Sequence, residues 1–89
     1  MHEHDLALTH IVDARRLLCP MPVIRAQDKI KTLKEGETLV VICSDPGAKY
    51  DIPAWCRING HTVLSIEEQE YELRITIVVG ALRTSTLTN

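Results

Sequence analysis

The chain has 89 residues, 45% of them hydrophobic, and a formal net charge of −2 from 10 basic and 12 acidic side chains. That is one domain's worth of chain, with room for a single two-layer core. Basic and acidic residues mixed along the sequence, with Tyr50, Trp55 and Tyr71 as its aromatics, exclude both the electrostatic footprint and the stacking platform of a nucleic-acid binder.

Residues 1–5 are polar, and Met1-His2-Glu3-His4-Asp5 carries no basic-then-apolar signal pattern. The longest apolar run, Leu39-Val40-Val41-Ile42-Cys43, is far short of the ~18 residues of a membrane span. The expected location is the cytoplasm, away from any membrane. Leu6 to Ala14 alternates loosely and predicts a first strand anchored by Leu8, Ile11 and Val12.

From Pro22 to about Lys34, Val23, Ala26, Ile30 and Leu33 recur at spacings of three and four, with charged residues between them. This is the pattern of an amphipathic helix. Glu35-Gly36-Glu37 ends it, the glycine supplying a left-handed stop. Thr38 to Ser44 is β-branched and apolar, as a central strand covered inside a sheet should be. Asp45-Pro46-Gly47 is turn chemistry. Asp51-Ile52-Pro53 predicts an N-cap carboxylate and a first-turn proline for a second helix that stops at Asn59-Gly60.

Thr62 to Glu67 reads as a third strand, and Tyr71 to Val79 as a fourth, with Tyr71, Leu73, Ile75, Ile77 and Val79 on one face. Glu68-Gln69-Glu70 between them predicts a hairpin. Residues 81–89 lose all periodicity and are expected to be a disordered tail behind a single domain at 1–80. The order β-α-β-α-β-β predicts an α+β two-layer sandwich: a four-stranded mixed sheet with both helices on one face.

The chemistry concentrates at Leu18-Cys19-Pro20-Met21-Pro22, just after Arg15 and Arg16. Proline keeps the residue before it out of the helix, so Cys19 is presented just ahead of a helix that begins at Pro20 or at Pro22. Either placement aims the sulfur at free N–H groups, and with the nearby arginines favours thiolate over thiol. A helix terminus lowers a thiol from its ordinary value near 8.5 to about 7–8. Pro20 and Pro22 hold the sulfur forward, and Arg15 and Arg16 are candidates to stabilise the anion.

Three cysteines at 19, 43 and 56 fit neither a secreted disulfide framework nor zinc knuckles. Reduced thiols are the expectation. Cys43 ends an apolar strand and reads as a core thiol. Cys56 reads as core, with resolution of an oxidised Cys19 as the alternative. His2, His4, His10 and His61 have no metal-ligand spacing, and no metal or cofactor is expected. Asp45 reads first as a turn cap and Asp51 as a helix cap. Met21, Arg25, Lys29 and Asp45 lie close enough in sequence to the thiol or its turn to contact a partner.

These landmarks together, Val12-Asp13-Ala14 into Leu18-Cys19-Pro20-Met21-Pro22, then Leu33 to Leu39, Asp45-Pro46-Gly47, Asp51-Ile52-Pro53 and Gly60-His61, resemble the TusA/SirA-like sulfur carriers over roughly residues 8 to 80. The resemblance implies a four-stranded sheet against two helices. It also implies that Cys19 receives a sulfane sulfur as a persulfide and passes it on. The implied donor is a cysteine desulfurase or rhodanese, and the implied acceptor a relay protein serving tRNA 2-thiouridine formation or sulfur oxidation. Met21 and Gly47 depart from part of that group. The expectation is a monomeric carrier within a sulfurtransferase relay rather than a stand-alone enzyme. The alternatives are a thiol-redox protein using Cys19 and Cys56, or a regulatory interaction module.

Overall fold

The computed structural model describes residues 9–80. The expected start of the first strand at Leu6, the anchor Leu8, His2, His4 and the tail 81–89 lie outside the described residues. Within them the order is β1 (Thr9–Ala14), α1 (Met21–Ile30), β2 (Thr38–Cys43), α2 (Ala48–Asn59), β3 (Thr62–Gln69) and β4 (Glu72–Val78).

The sheet runs β1-β2-β4-β3. β1 lies parallel to β2, with Val12 opposite Val41 and Ala14 opposite Cys43. β4 is antiparallel to both neighbours, with Ile75 opposite Val41 and Ile66. The apolar β2 is therefore an inner strand, as its composition requires, and shares the centre of the sheet with β4.

Alternation sorts the side chains. Val12, Ala14, Leu39, Val41, Cys43, Leu73, Ile75 and Ile77 point to one face, where they pack with Ala26 and Ile30 of α1 and Ala48, Ile52 and Cys56 of α2. Both helices thus cover one side of a mixed sheet, as the element order implies. Ile11 falls on the opposite face and is 63% exposed, so Val12 anchors β1 and Ile11 does not. A bulge at Leu64, between Val63 and Ser65, shifts the register of β3. The extra residue returns Ile66 to the helix side opposite Ile75.

Several boundaries differ from the expectation. The helical hydrogen bonding of α1 ends at Ile30 and tightens into turns in which Thr32 N–H and Leu33 N–H donate to Lys29 and Ile30. Gly36 does take a left-handed φ of 94°, but in the turn that delivers the chain to β2. β3 continues to Gln69, and Tyr71 sits in the hairpin turn, 87% exposed, not on the inner face of β4. The largest correction concerns α2, which starts at Ala48 because the Asp45-Pro46-Gly47 turn runs directly into it. Pro53 then lies inside the helix, and Asp51 is in its first turn rather than at its cap. Gly60, at φ 82°, ends α2 as expected.

Candidate functional site

Cys19 lies between the turn that leaves β1 and the start of α1. Its backbone is tied down from across the fold: Cys19 N–H donates to Asp45 Oδ2 at 2.8 Å, while Gly47 N–H donates to the other oxygen at 3.3 Å. Asp45 therefore caps its own turn, as its sequence context implies, and also fixes the cysteine loop. Nearby, Arg16 N–H donates to Ser44 Oγ at 2.7 Å, from a residue with φ of 70°. The peptide bond between Cys19 and Pro20 is cis.

The helix begins at Met21 with Pro20 as its N-cap residue, between the two placements the prolines allow. Its first-turn donors are already engaged. Met21 N–H donates to Leu18 O, Val23 N–H and Ile24 N–H donate to Pro20 O, and Pro22 has no N–H. With these groups taken, the sulfur is not held by the helix terminus. Instead Cys19 Sγ donates to Asp51 Oδ2 at 2.6 Å.

That contact reverses the electrostatic expectation. The hydrogen bond to Asp51 pushes the Cys19 thiol up from its ordinary value, with partial desolvation and the negative charges of Asp51 and Asp45 adding to the effect. Arg15 does not offset it. Arg15 closes on Asp13 through two 2.9 Å bonds and reaches Glu72 at 3.8 Å. This pairing holds the Asp13 carboxyl well below the usual carboxylate range. An arginine-stabilised thiolate of lowered pKa is therefore replaced by a carboxylate-held thiol.

Cys19 is the exposed thiol among the three free cysteines. Burial pushes Cys43 and Cys56 up to about 11, and both are packed in the core. Asp51 and Cys56 are five positions apart on α2, about 140° around the helix axis and ~7.5 Å along it. Asp51 turns toward Cys19 while Cys56 turns into the sheet.

The elements that hold the sulfur also expose apolar side chains. Leu18 is 72% exposed, Met21 37% and Ile24 40%, and Tyr50, next to Asp51 in sequence, is 69% exposed. Met21 and Ile24 share a helix face, with Arg25 one turn on from Met21. Arg25 is exposed and Lys29 half-buried. Sequence reasoning singled out Met21, Arg25, Lys29 and Asp45 but missed Leu18, Ile24, Tyr50 and the thiol contact of Asp51. Ile24 was visible in principle, because it falls outside the stripe formed by Val23, Ala26, Ile30 and Leu33.

A cavity of about 490 Å³ is lined by Asp13, Arg15, Arg16, Ser44, Tyr71 and Glu72; Cys19 is not in its wall. Among the described residues no three histidine, cysteine or acidic side chains cluster to hold a metal, and no helix is long and apolar enough to cross a membrane.

Comparison with known proteins gives one family. The family model described as sulfurtransferase TusA matches residues 10–79. The "Putative sulfur carrier protein YrkI" of Bacillus subtilis (strain 168) is 36% identical over 70 residues, which is 79% of this chain and 93% of that protein. The "Putative sulfur carrier protein YrkF" of the same organism is 38% identical over 66 residues, 74% of this chain. That match spans only 36% of the length of YrkF. Among solved structures, a SirA-like protein from Desulfitobacterium hafniense superimposes with a TM-score of 0.71 at 25% identity, covering 80% of this chain and 97% of that one.

Proposed function

The chain belongs to the TusA family of sulfur carrier proteins, and from that premise we propose that Cys19 is the residue that carries the sulfur. The observation that supports this reading is the contrast among the thiols: Cys19 is exposed on a loop fixed by Asp45, while Cys43 and Cys56 are sealed in the core. Sulfur moves when the Cys19 thiolate attacks the terminal sulfur of a donor persulfide. A bond forms between Sγ and that sulfur, the donor's sulfur–sulfur bond breaks, and its electron pair leaves on the donor's own cysteine thiolate. The second transfer repeats the exchange, with an acceptor thiolate attacking and Cys19 leaving. Neither step changes the total oxidation state, so an exposed thiol and a docking surface suffice.

The donor in this reading is a cysteine desulfurase or a rhodanese, and the acceptor a relay protein for tRNA 2-thiouridine formation or sulfur oxidation. Leu18, Met21 and Ile24 form the apolar rim that seats such proteins, with Arg25, Lys29 and Asp45 as polar contacts. The carrier works as a monomer in the cytoplasm, where thiols stay reduced. Supplying a cysteine desulfurase with radiolabelled cysteine tests the proposal: labelled sulfur is expected on the wild-type chain, and none on Cys19→Ser. Equal labelling of the two proteins would refute it.

A further inference from the structure

Cys19 and Asp51 stand 32 positions apart and meet through their side chains. A second carboxylate, Asp45, reaches the same residue from the β2–α2 turn through its backbone N–H. Two acidic groups from different elements thus face one nucleophile. Among the described residues, neither has a basic side chain within ion-pairing distance. Of the neighbouring basic groups, Arg15 is committed to Asp13 and Glu72 and Lys49 to Glu68 at 3.2 Å, while Arg16 lines the cavity beside Asp13 and Ser44 and makes no ion pair with Asp45 or Asp51.

A thiol that donates to a carboxylate is stabilised as the thiol, and a second negative charge disfavours its ionisation further. Sulfur exchange needs the thiolate. The carrier as it stands alone is therefore held in its less reactive form, and groups already in the fold do not release it. A cation brought up to the two carboxylates would do so, by pairing with Asp51 and cancelling the charge that opposes ionisation.

We propose that Asp51 determines donor specificity: it keeps the Cys19 thiol hydrogen-bonded until a sulfur donor brings a cationic group, a lysine or arginine beside its persulfide, to the Asp45–Asp51 pair. In that complex the cation takes over Asp51 Oδ2, the Sγ proton leaves to solvent, and the thiolate attacks the terminal sulfur as described above. A donor with an acidic or neutral surface at that point meets a protonated thiol and two repelling charges. The purpose of this device rests on the carrier role of Cys19, but the device itself is read from the thiol alone.

The test uses two methanethiosulfonate reagents of similar size, one bearing a trimethylammonium group and one a sulfonate, each forming a mixed disulfide with Cys19 and releasing sulfinate. Rates at neutral pH are divided by those for 2-mercaptoethanol, which removes the reagents' intrinsic difference. The wild-type protein is expected to prefer the cationic reagent by about tenfold or more, the scale of a unit charge a few ångströms away. In Asp51→Asn the preference falls by most of that factor and the sulfonate reagent reacts faster. Asp51→Glu retains the preference, and Asp45→Asn loses a smaller part of it.

In the unmodified protein, ~1 M salt, with a Debye length of about 3 Å, should also flatten the preference; this arm requires no variant to fold. No normalised preference in wild type, or one unchanged in Asp51→Asn, overturns the proposal. Failure of wild type to take up sulfur from any donor would instead overturn the carrier reading, leaving the charge preference to stand or fall separately.

Discussion

Cys19 Sγ donates its hydrogen bond to Asp51 Oδ2 at 2.6 Å, joining the loop ahead of α1 to the first turn of α2. The exposed thiol is thus held by the second helix rather than by the one it precedes. Asp45 completes the arrangement from the backbone side. The turn that leads into α2 and the first turn of that helix therefore set the position and the protonation of the thiol.

Asp45 is expected to matter for stability as well as for the site, because one carboxylate accepts N–H groups from both Cys19 and Gly47. Asp45→Ala strands both donors, with a cost of about 1–3 kcal/mol. Asp45→Asn keeps an acceptor oxygen and should cost less. Urea unfolding of the two variants checks the order, and equal midpoints for wild type and Asp45→Ala would show that water replaces the carboxylate at no cost.

Stability should fall on mild acidification through His61. Its Nδ1 accepts a hydrogen bond from Gly80 N–H at 2.8 Å, and its ring stacks on Trp55. Burial holds its folded-state pKa below the ordinary value of 6.5, so the unfolded chain binds the proton more readily. The contribution is fully present above the unfolded value and is lost as pH falls from there through the lower folded value. Thermal unfolding between neutral pH and pH ~5 is expected to show this decline, shallower in His61→Asn. Identical declines in both proteins would assign the acid sensitivity to other groups.

Cys56→Ala should leave sulfur loading intact. Cys56 lies in the core, 1% exposed, and truncation costs about 1–2 kcal/mol through the small cavity it leaves. Mass analysis of the variant after treatment with a sulfur donor separates the readings. Full loading supports a one-cysteine carrier, whereas loss of loading in a folded variant would favour a Cys19–Cys56 redox pair.

The helices and strands were legible wherever periodicity governs: Leu73, Ile75 and Ile77 alternate into the core, and Ala26 and Ile30 recur at helical spacing. What misled was local chemistry with two meanings. Asp51-Ile52-Pro53 has the form of a helix start, yet Asp45-Pro46-Gly47 had already begun α2, and Pro53 is accommodated within it. Tyr71 continues the alternation of β4 but belongs to the hairpin turn.

Cys19 itself was legible because two prolines mark it. Its environment was not, because hydrogen bonds to residues 26 and 32 positions away leave no periodic trace. The same limit explains Arg15, whose nearness to Cys19 in sequence suggests a stabilising cation. Its guanidinium instead finds Asp13, two residues back on the same strand end.

Intact mass spectrometry reads directly whether Cys19 carries sulfur. Reduced wild type and Cys19→Ser are each mixed with a cysteine desulfurase and cysteine, or with a rhodanese and thiosulfate. A gain of about 32 Da, one sulfur atom, is expected on wild type alone and should be reversed by reductant. The same gain on Cys19→Ser, or no gain on wild type with either donor, would show that Cys19 is not a sulfur-carrying residue.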